Sequence, residues 1–340
     1  MLKFSYNHIV IMSKEVKFGL NLAVFGEFDN TSLEKRLRFD DLKEMVTVGE
    51  DGGFESLWIP DHIVNPTGSS PSPHGGSREF FHRDCFESWT TLSALSSLTN
   101  KMRLGNIVLC NLFRHPSLLA KMASTLDIIS NGRFIFSLGA GWFKEECIAY
   151  GIPWFPYKER LDRFREAIII VKSLWNERVS NFKGEYYEIK DAYLEPKPIQ
   201  KPHPPIWIGG ESDTIKDTVA EFADGWDLTV SPDVLQKKIE SLKIKCESLG
   251  RNYREIEISR SFGIFKADSY EDALKISNPV ADIYHIDRQK YASMHLLGTD
   301  KNMINQIEKF VESGAKIIIV RLEKNVDQVR WFCDSILSTF

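Results

Sequence analysis

The sequence predicts an α/β protein, a (β/α)8 TIM barrel with loop insertions, and three observations carry that expectation. From Val16 onward, eight short apolar runs alternate with amphipathic stretches of helical spacing. The connecting stretches are long enough to be crossover helices, which parallel strands require. No Gly-rich dinucleotide fingerprint follows the first run, which weighs against the alternative, a doubly wound open sheet. Length alone would suggest two ordinary domains, but 340 residues also suit one α/β barrel with insertions. Residues 16–340 are therefore expected to form a single domain. Residues 1–15 have no long apolar region and no small-residue cleavage site, so they are expected to be a disordered extension or an upstream start.

Val16–Phe25 (VKFGLNLAVF) reads as the first strand, Leu33–Gly52 as a helix and Phe54–Pro60 as the second strand. Asp61 to Asp84 is rich in Gly, Ser, Pro and His, and reads as a long loop of the kind that is functional or disordered. Phe86–Leu98 is helical and Met102–Leu109 (MRLGNIVL) is the third strand. Pro116 opens a helix at the one position proline tolerates; it runs to Ser130, with Asn131-Gly132 as its stop. Arg133–Leu138 is the fourth strand, and Glu159–Trp175 places Leu161, Phe164, Ile168, Val171 and Leu174 at helical spacing. Asn176–Pro205 breaks the rhythm with a hairpin around Gly184 and a proline-rich connector. Strands at Ile206–Ile208, Gly225–Val230, Glu257–Phe265 and Lys316–Leu322 complete the set. Helices are expected at Asp213–Ala223, Pro232–Leu249, Asp300–Ser313 and Val326–Leu337, and one more within the weakly patterned Tyr270–Leu297.

Composition narrows the function. A net charge of −4, with basic and acidic residues interspersed, argues against a nucleic-acid partner or an acidic membrane surface. No apolar run approaches the ~20 residues that cross a bilayer. Five widely spaced cysteines give neither a disulfide framework nor metal-ligand spacing, and free thiols suit a reducing, cytoplasmic compartment. A small-molecule substrate, no bound metal and a homodimeric assembly are the expectations.

In such a barrel, chemistry sits where strands end. Asp61 and His62 follow the second strand, and an imidazole there titrates near neutrality and can move a proton. The plainer reading is a loop histidine that caps backbone. Gly139, Ala140, Gly141 and Trp142 end the fourth strand; glycines admit a ligand close to the backbone and Trp covers an aromatic face, although a lone GxG is weak evidence. Gly209, Gly210, Glu211 and Ser212 precede a helix whose N-cap is Ser212, which makes an anion site or an ordinary turn. Phosphate sites in barrels more often follow strands seven and eight. Asn21, Ile107–Asn111 and Trp226 fall at the same level.

Several segments together resemble the luciferase-like family of flavin- and deazaflavin-dependent oxidoreductases. They are GFESLWIPDH (Gly53–His62), WTTLSALSSLT (Trp89–Thr99), RLGNIVL (Arg103–Leu109), RHPSLLAKMASTLDIISNGR (Arg114–Arg133), SLGAGWFKEECIAYGIP (Ser137–Pro153), Glu159-Arg160, KPHPPIWIGGES (Lys201–Ser212), ADGW (Ala223–Trp226) and LGT (Leu297–Thr299). The likeness spans Val16 to Leu337 and is weakest in Tyr270–Leu297. It implies a third-strand bulge with a non-prolyl cis peptide near Ile107-Val108, and a cofactor ring backed by Ile107, Val108 and Leu109. It also implies that Asp61 and His62 approach the ring, as catalytic residues, that Gly139–Trp142 line its side, and that Gly209–Ser212 hold its phosphate; Asn21 is expected at the cofactor from its place at the end of the first strand. GAGWFKEE followed by AYGIP most resembles members that use the deazaflavin coenzyme F420 for hydride transfer. Some of those that oxidise alcohols or sugar phosphates carry Glu where this chain has Trp142, so their substrate chemistry does not carry over. An FMN-dependent monooxygenase and a non-catalytic flavin-binding barrel are the alternatives.

Overall fold

The structure, a computed structural model, describes residues 16–22, 24, 38–64, 84–283, 285–322 and 325–340. The expectations for residues 1–15, for the start of the first helix and for most of the Asp61–Asp84 loop lie outside these residues. In chain order the elements begin β1 (Lys17–Leu22), α1 (Phe39–Asp51), β2 (Ser56–Ile59), α2 (Ser88–Ser96), β3 (Arg103–Asn106), β4 (Leu109–Cys110), α3 (Pro116–Ile129) and β5 (Phe134–Gly139). They continue with α4 (Lys144–Ala149), α5 (Tyr157–Asn176), β6 (Ser180–Lys183), β7 (Glu188–Ala192), β8 (Ile206–Gly209), α6 (Asp213–Phe222), β9 (Gly225–Leu228) and α7 (Pro232–Ser248). The last are β10 (Glu257–Lys266), α8 (Tyr270–Ile283), α9 (Arg288–Ser293), β11 (Leu296–Gly298), α10 (Asp300–Glu312), β12 (Ile317–Leu322) and α11 (Val326–Ser335).

Eight parallel strands close on themselves in the order β1-β2-β3-β5-β8-β9-β10-β12 and back to β1. The expected (β/α)8 barrel is therefore present. Its insertions are the antiparallel β6–β7 hairpin, laid on α5 where Glu166 accepts the amides of Glu185, Tyr186 and Tyr187, and the short β11, which extends β10. Three elements depart from the sequence reading. The third strand is not continuous: it breaks at Ile107-Val108 and resumes as β4 alongside β5. A helix, α4, follows the Gly139–Trp142 turn where none was expected. Tyr270–Leu297 resolves into α8, α9 and β11, packed around their own small cluster of Ala273, Ala292 and Leu297.

Strand residues alternate between two cores. Outward-facing Leu20, Leu57, Leu104, Phe136 and Ile208 pack under the helices. The inward face holds Trp58, Ile135, Trp207, Ile317 and Ile319, with the two indoles 4.9 Å apart. Rings of that size fit inside eight strands only where facing positions are bare. A Cβ on Gly105 would lie 2.5 Å from Trp58, and one on Gly225 2.3 Å from Trp207. Below this layer, at the N-terminal ends of the strands, Arg103 bonds Glu55 and Glu257 (2.8 Å to the latter), with Lys17 beside them. Among the described residues the barrel floor is thus filled by charge and indole.

Overpacking of this layer is the expected result of adding one methyl group. Gly225→Ala should cost at least ~1–3 kcal/mol of stability. In a Trp207→Leu background, most of that penalty should vanish. Urea unfolding of the four-member cycle measures the coupling; additive effects would show that the two residues do not compete for space.

Candidate active site

The chain leaves β2 through Pro60 into Asp61 and His62, which part in role at once. Asp61 is buried, its Oδ2 accepting the amide of Cys110 (2.9 Å) and Arg114 Nη1 (2.8 Å), its Oδ1 accepting Arg114 Nη2 (3.0 Å). It ties β2 to the start of β4 and is fully engaged in doing so. His62 instead places Nδ1 2.9 Å from Glu146 Oε2. Glu146 is 1% exposed, and its Oε1 accepts the amides of Ile63 and Val64 (2.6 and 3.1 Å). A carboxylate oxygen can only accept, so Nδ1 carries the proton and Nε2 is the basic nitrogen of the neutral ring. Trp142, half exposed, stands edge-on to the imidazole at 5.6 Å and stacks on Phe143.

The break in the third strand forms a wall. Ile107-Val108 is a cis peptide, as the resemblance implied, and the Val108 side chain turns inward against β5 and β8. A Cβ on Gly139 would lie 2.6 Å from Val108, and one on Gly209 2.8 Å from it. In front of this wall opens a cavity of about 580 Å³, lined by Ile107, Val108, Gly139–Trp142, Tyr157, Gly209–Glu211, Ile215, Asp227 and Thr229. That volume falls within the ~300–1,000 Å³ usual for small-molecule sites. A second, smaller cleft holds Asp61, His62, Leu109, Cys110, Glu146 and Cys147 and shares Ile107, Val108, Gly141 and Trp142 with the first. In it Cys110 is hydrogen-bonded to Cys147, which raises the Cys110 thiol and lowers that of Cys147.

At the other end of the cavity Gly210, at φ 126°, adopts a conformation that a side chain would strain, and Trp226 Nε1 holds its carbonyl at 2.8 Å. Ser212 caps α6 by accepting the amide of Ile215 (3.2 Å) and also accepts the Tyr157 hydroxyl (2.8 Å). Arg160 donates to the Gly141 carbonyl (2.8 Å) and lies 3.8 Å over the Trp154 ring, bracing the Gly139–Trp142 turn.

Most of the residues expected at the site are therefore brought together: Asp61, His62, Ile107–Leu109, Gly139–Trp142 and Gly209–Glu211 line the two clefts. Asn21 and Ser212 line neither. Asn21 shares the inward face of β1 with Gly19, and its buried Oδ1 has no hydrogen-bond partner among the described residues. Sequence reasoning missed Glu146, Tyr157 and above all Asp227. The last is a lone acid in the strand GWDLTV, two residues from inward-facing Gly225, and that was the signal available. Its Oδ1 accepts the hydroxyls of Ser259 (2.8 Å) and Ser261 (2.9 Å). Burial pushes it up to about 6 in spite of those bonds. Glu211, raised by burial, accepts the Thr229 amide beside it at 3.2 Å.

The barrel thus carries a cavity at its mouth and a carboxylate-held imidazole on the rim. The family model for luciferase-like monooxygenases matches residues 18–316, and the chain belongs to that family. It is 31% identical to an F420-dependent glucose-6-phosphate dehydrogenase of Amycolatopsis mediterranei over 55% of this chain, and spans 52% of that protein's length. It is also 31% identical to an FMNH2-dependent dimethylsulfone monooxygenase of Pseudomonas putida, over 77% of this chain and 69% of that one. Among solved structures, an F420-dependent secondary alcohol dehydrogenase superposes with a TM-score of 0.79 at 18% identity, covering 96% of this chain and 99% of the other. At that identity the likeness establishes the fold.

Asp227 gives the pH prediction. Its folded value of about 6 lies above the ordinary 3.8, so the fold favours its neutral form. The resulting penalty, ~3 kcal/mol from the size of the rise, is present above pH 6 and disappears as pH falls below the unfolded value. Asp227→Asn lacks a titrating group and should raise Tm by several degrees at pH 8 and by almost nothing near pH 4. Equal gains at both pH values would assign the effect to packing.

Proposed function

We propose that this protein is an oxidoreductase that binds coenzyme F420 across the cavity and moves hydride to or from a small organic substrate, with His62 handling the accompanying proton. The observation that carries this reading is the continuity of the Val108 wall with a histidine held by Glu146. Gly139 and Gly209 let the Val108 side chain seat on β5 and β8, and that side chain offers a surface on which a flat ring can lie. Amides of Gly209–Ser212 at the positive end of α6, with the Tyr157 hydroxyl, would hold the phosphate. Ile107–Leu109 would back the ring and Gly139–Trp142 its side.

When bound, the deazaflavin supplies a carbon that takes or gives hydride and does not activate oxygen. The chain's part is positional and protic. Glu146 keeps the proton on Nδ1 of His62, so Nε2 takes up or returns the substrate proton. Asp61 holds β2 against the bulge, keeping the imidazole beside the ring wall. Trp142 covers the open side and limits water. The five free thiols fit the proposed cytoplasmic setting, a homodimer is the proposed assembly, and no described helix is long and apolar enough to cross a membrane.

A second reading has its own support: the FMNH2-dependent relative matches over a larger share of the chain. FMN and F420 should be offered separately to purified protein, with and without oxygen, and binding read by fluorescence. Binding of F420 with no oxygen consumption is expected. Tight FMN binding with oxygen uptake and no affinity for F420 would replace this reading with the monooxygenase.

His62→Ala should slow turnover about 10²–10⁴-fold while changing cofactor affinity only slightly, because phosphate and wall contacts lie elsewhere. Glu146→Gln should fall between, through loss of the fixed tautomer. An unaffected His62→Ala enzyme would remove the proton role.

A further inference from the structure

Asp227 takes no part in the proposed mechanism, yet it is a buried carboxylate in the cavity lining with no paired cation among the described residues. We propose that Asp227 is a specificity-determining residue that binds a hydrogen-bond donor on the substrate, an amine or a hydroxyl, and turns anionic substrates away. This rests on the reading that the cavity holds cofactor and substrate together.

Position comes first. β9 stands four strands from β2 in a ring of eight, so Asp227 and His62 lie on opposite sides of the mouth. The arc between them, β3 with β4, β5 and β8, is the wall assigned to the cofactor. A molecule in front of that wall, within reach of His62, therefore has Asp227 on its far side.

Valence comes second. A carboxylate offers about four acceptor positions, and Oδ1 uses two on Ser259 and Ser261. No described cation pairs with Asp227. The nearby Arg260 is committed to the carbonyls of Leu228, Val230, Ser261 and Met294. The 8% of Asp227 that remains accessible belongs to the cavity lining. Ser259 and Ser261 orient the carboxylate and leave Oδ2 to whatever enters.

Charge comes third. Glu211 lines the same side and makes Asp227 harder to ionise, while Arg260 acts through space in the other direction. Around Asp227 are thus two hydroxyls, the Glu211 carboxylate and the Arg260 guanidinium, the last bonded to backbone carbonyls, with Lys238 and Lys290 acting on Glu211 from further off. A carboxylate on the substrate, brought against Oδ2, would meet repulsion from Asp227, while an ammonium or hydroxyl would find an acceptor in a site partly shielded from water.

The test uses three probes on one carbon skeleton: sec-butylamine, 2-butanol and 2-methylbutyrate. Their binding is measured by calorimetry at neutral pH, on cofactor-free protein and on protein loaded with F420 or FMN. The amine and alcohol should bind at least tenfold more tightly than the carboxylate. Asp227→Asn should shrink that ratio about tenfold while leaving cofactor affinity unchanged, and Asp227→Glu should retain part of it. Equal binding of all three probes, binding of none, or an unchanged ratio in Asp227→Asn would overturn the proposal. A tenfold loss of cofactor affinity in Asp227→Asn would overturn it too, by assigning the carboxylate to the cofactor. Failure of both cofactors to bind would count against the F420 reading alone, because the cofactor-free arm still reports on Asp227.

Discussion

The site depends on one contact, the Val108 side chain seated on the bare backbones of Gly139 and Gly209. Three strands meet there. The third strand can turn a residue inward at this level only because β5 and β8 present no Cβ, and the separation of 2.6–2.8 Å that a Cβ would have shows how complete the exclusion is. Both glycines line the cavity together with Val108. Trp142 beyond Gly141, and the Gly210 turn beyond Gly209, take their positions from strands fixed by this contact. The indole layer beneath obeys the same rule, with Gly105 and Gly225 yielding to Trp58 and Trp207. Large groups inside an eight-stranded barrel require glycine opposite them, and here that requirement shapes both the floor and the Val108 wall at the mouth.

The strands were legible because their outward residues pack under helices and their inward residues are Trp, Ile and Gly. Both faces are buried, and each strand therefore reads as an apolar run. The break at Ile107-Val108 was not legible from propensity, since RLGNIVL is as good a strand sequence after Asn106 as before it. What breaks it lies on β5 and β8. Only the resemblance pointed there. Glu146 was hidden for a different reason. It sits in KEEC, where adjacent charges read as a solvated face, and only the fold turns one of them to 1% exposure against His62. Tyr270–Leu297 gave a blurred pattern because its helices are short and bury their apolar residues in a satellite cluster apart from the main core.

The buried charges of this molecule sort by whether their capacity is used. Asp61 spends both oxygens on Arg114 and the Cys110 amide, and Glu146 spends one on two amides and the other on His62. Arg103 is closed between two glutamates. These are the satisfied networks that a buried charge needs to be tolerated, and their effect is to hold strand ends in register. Asp227 differs. It too is buried, but its hydrogen-bond partners are two hydroxyls, with no paired cation and no amide, and burial outweighs them. A purely structural residue at that point could be Asn or Leu at lower cost. Proteins keep such groups where a ligand completes them. The contrast between Asp61, Glu146 and Arg103 on one side and Asp227 on the other separates groups that hold strand ends together from one whose second oxygen is left to a ligand.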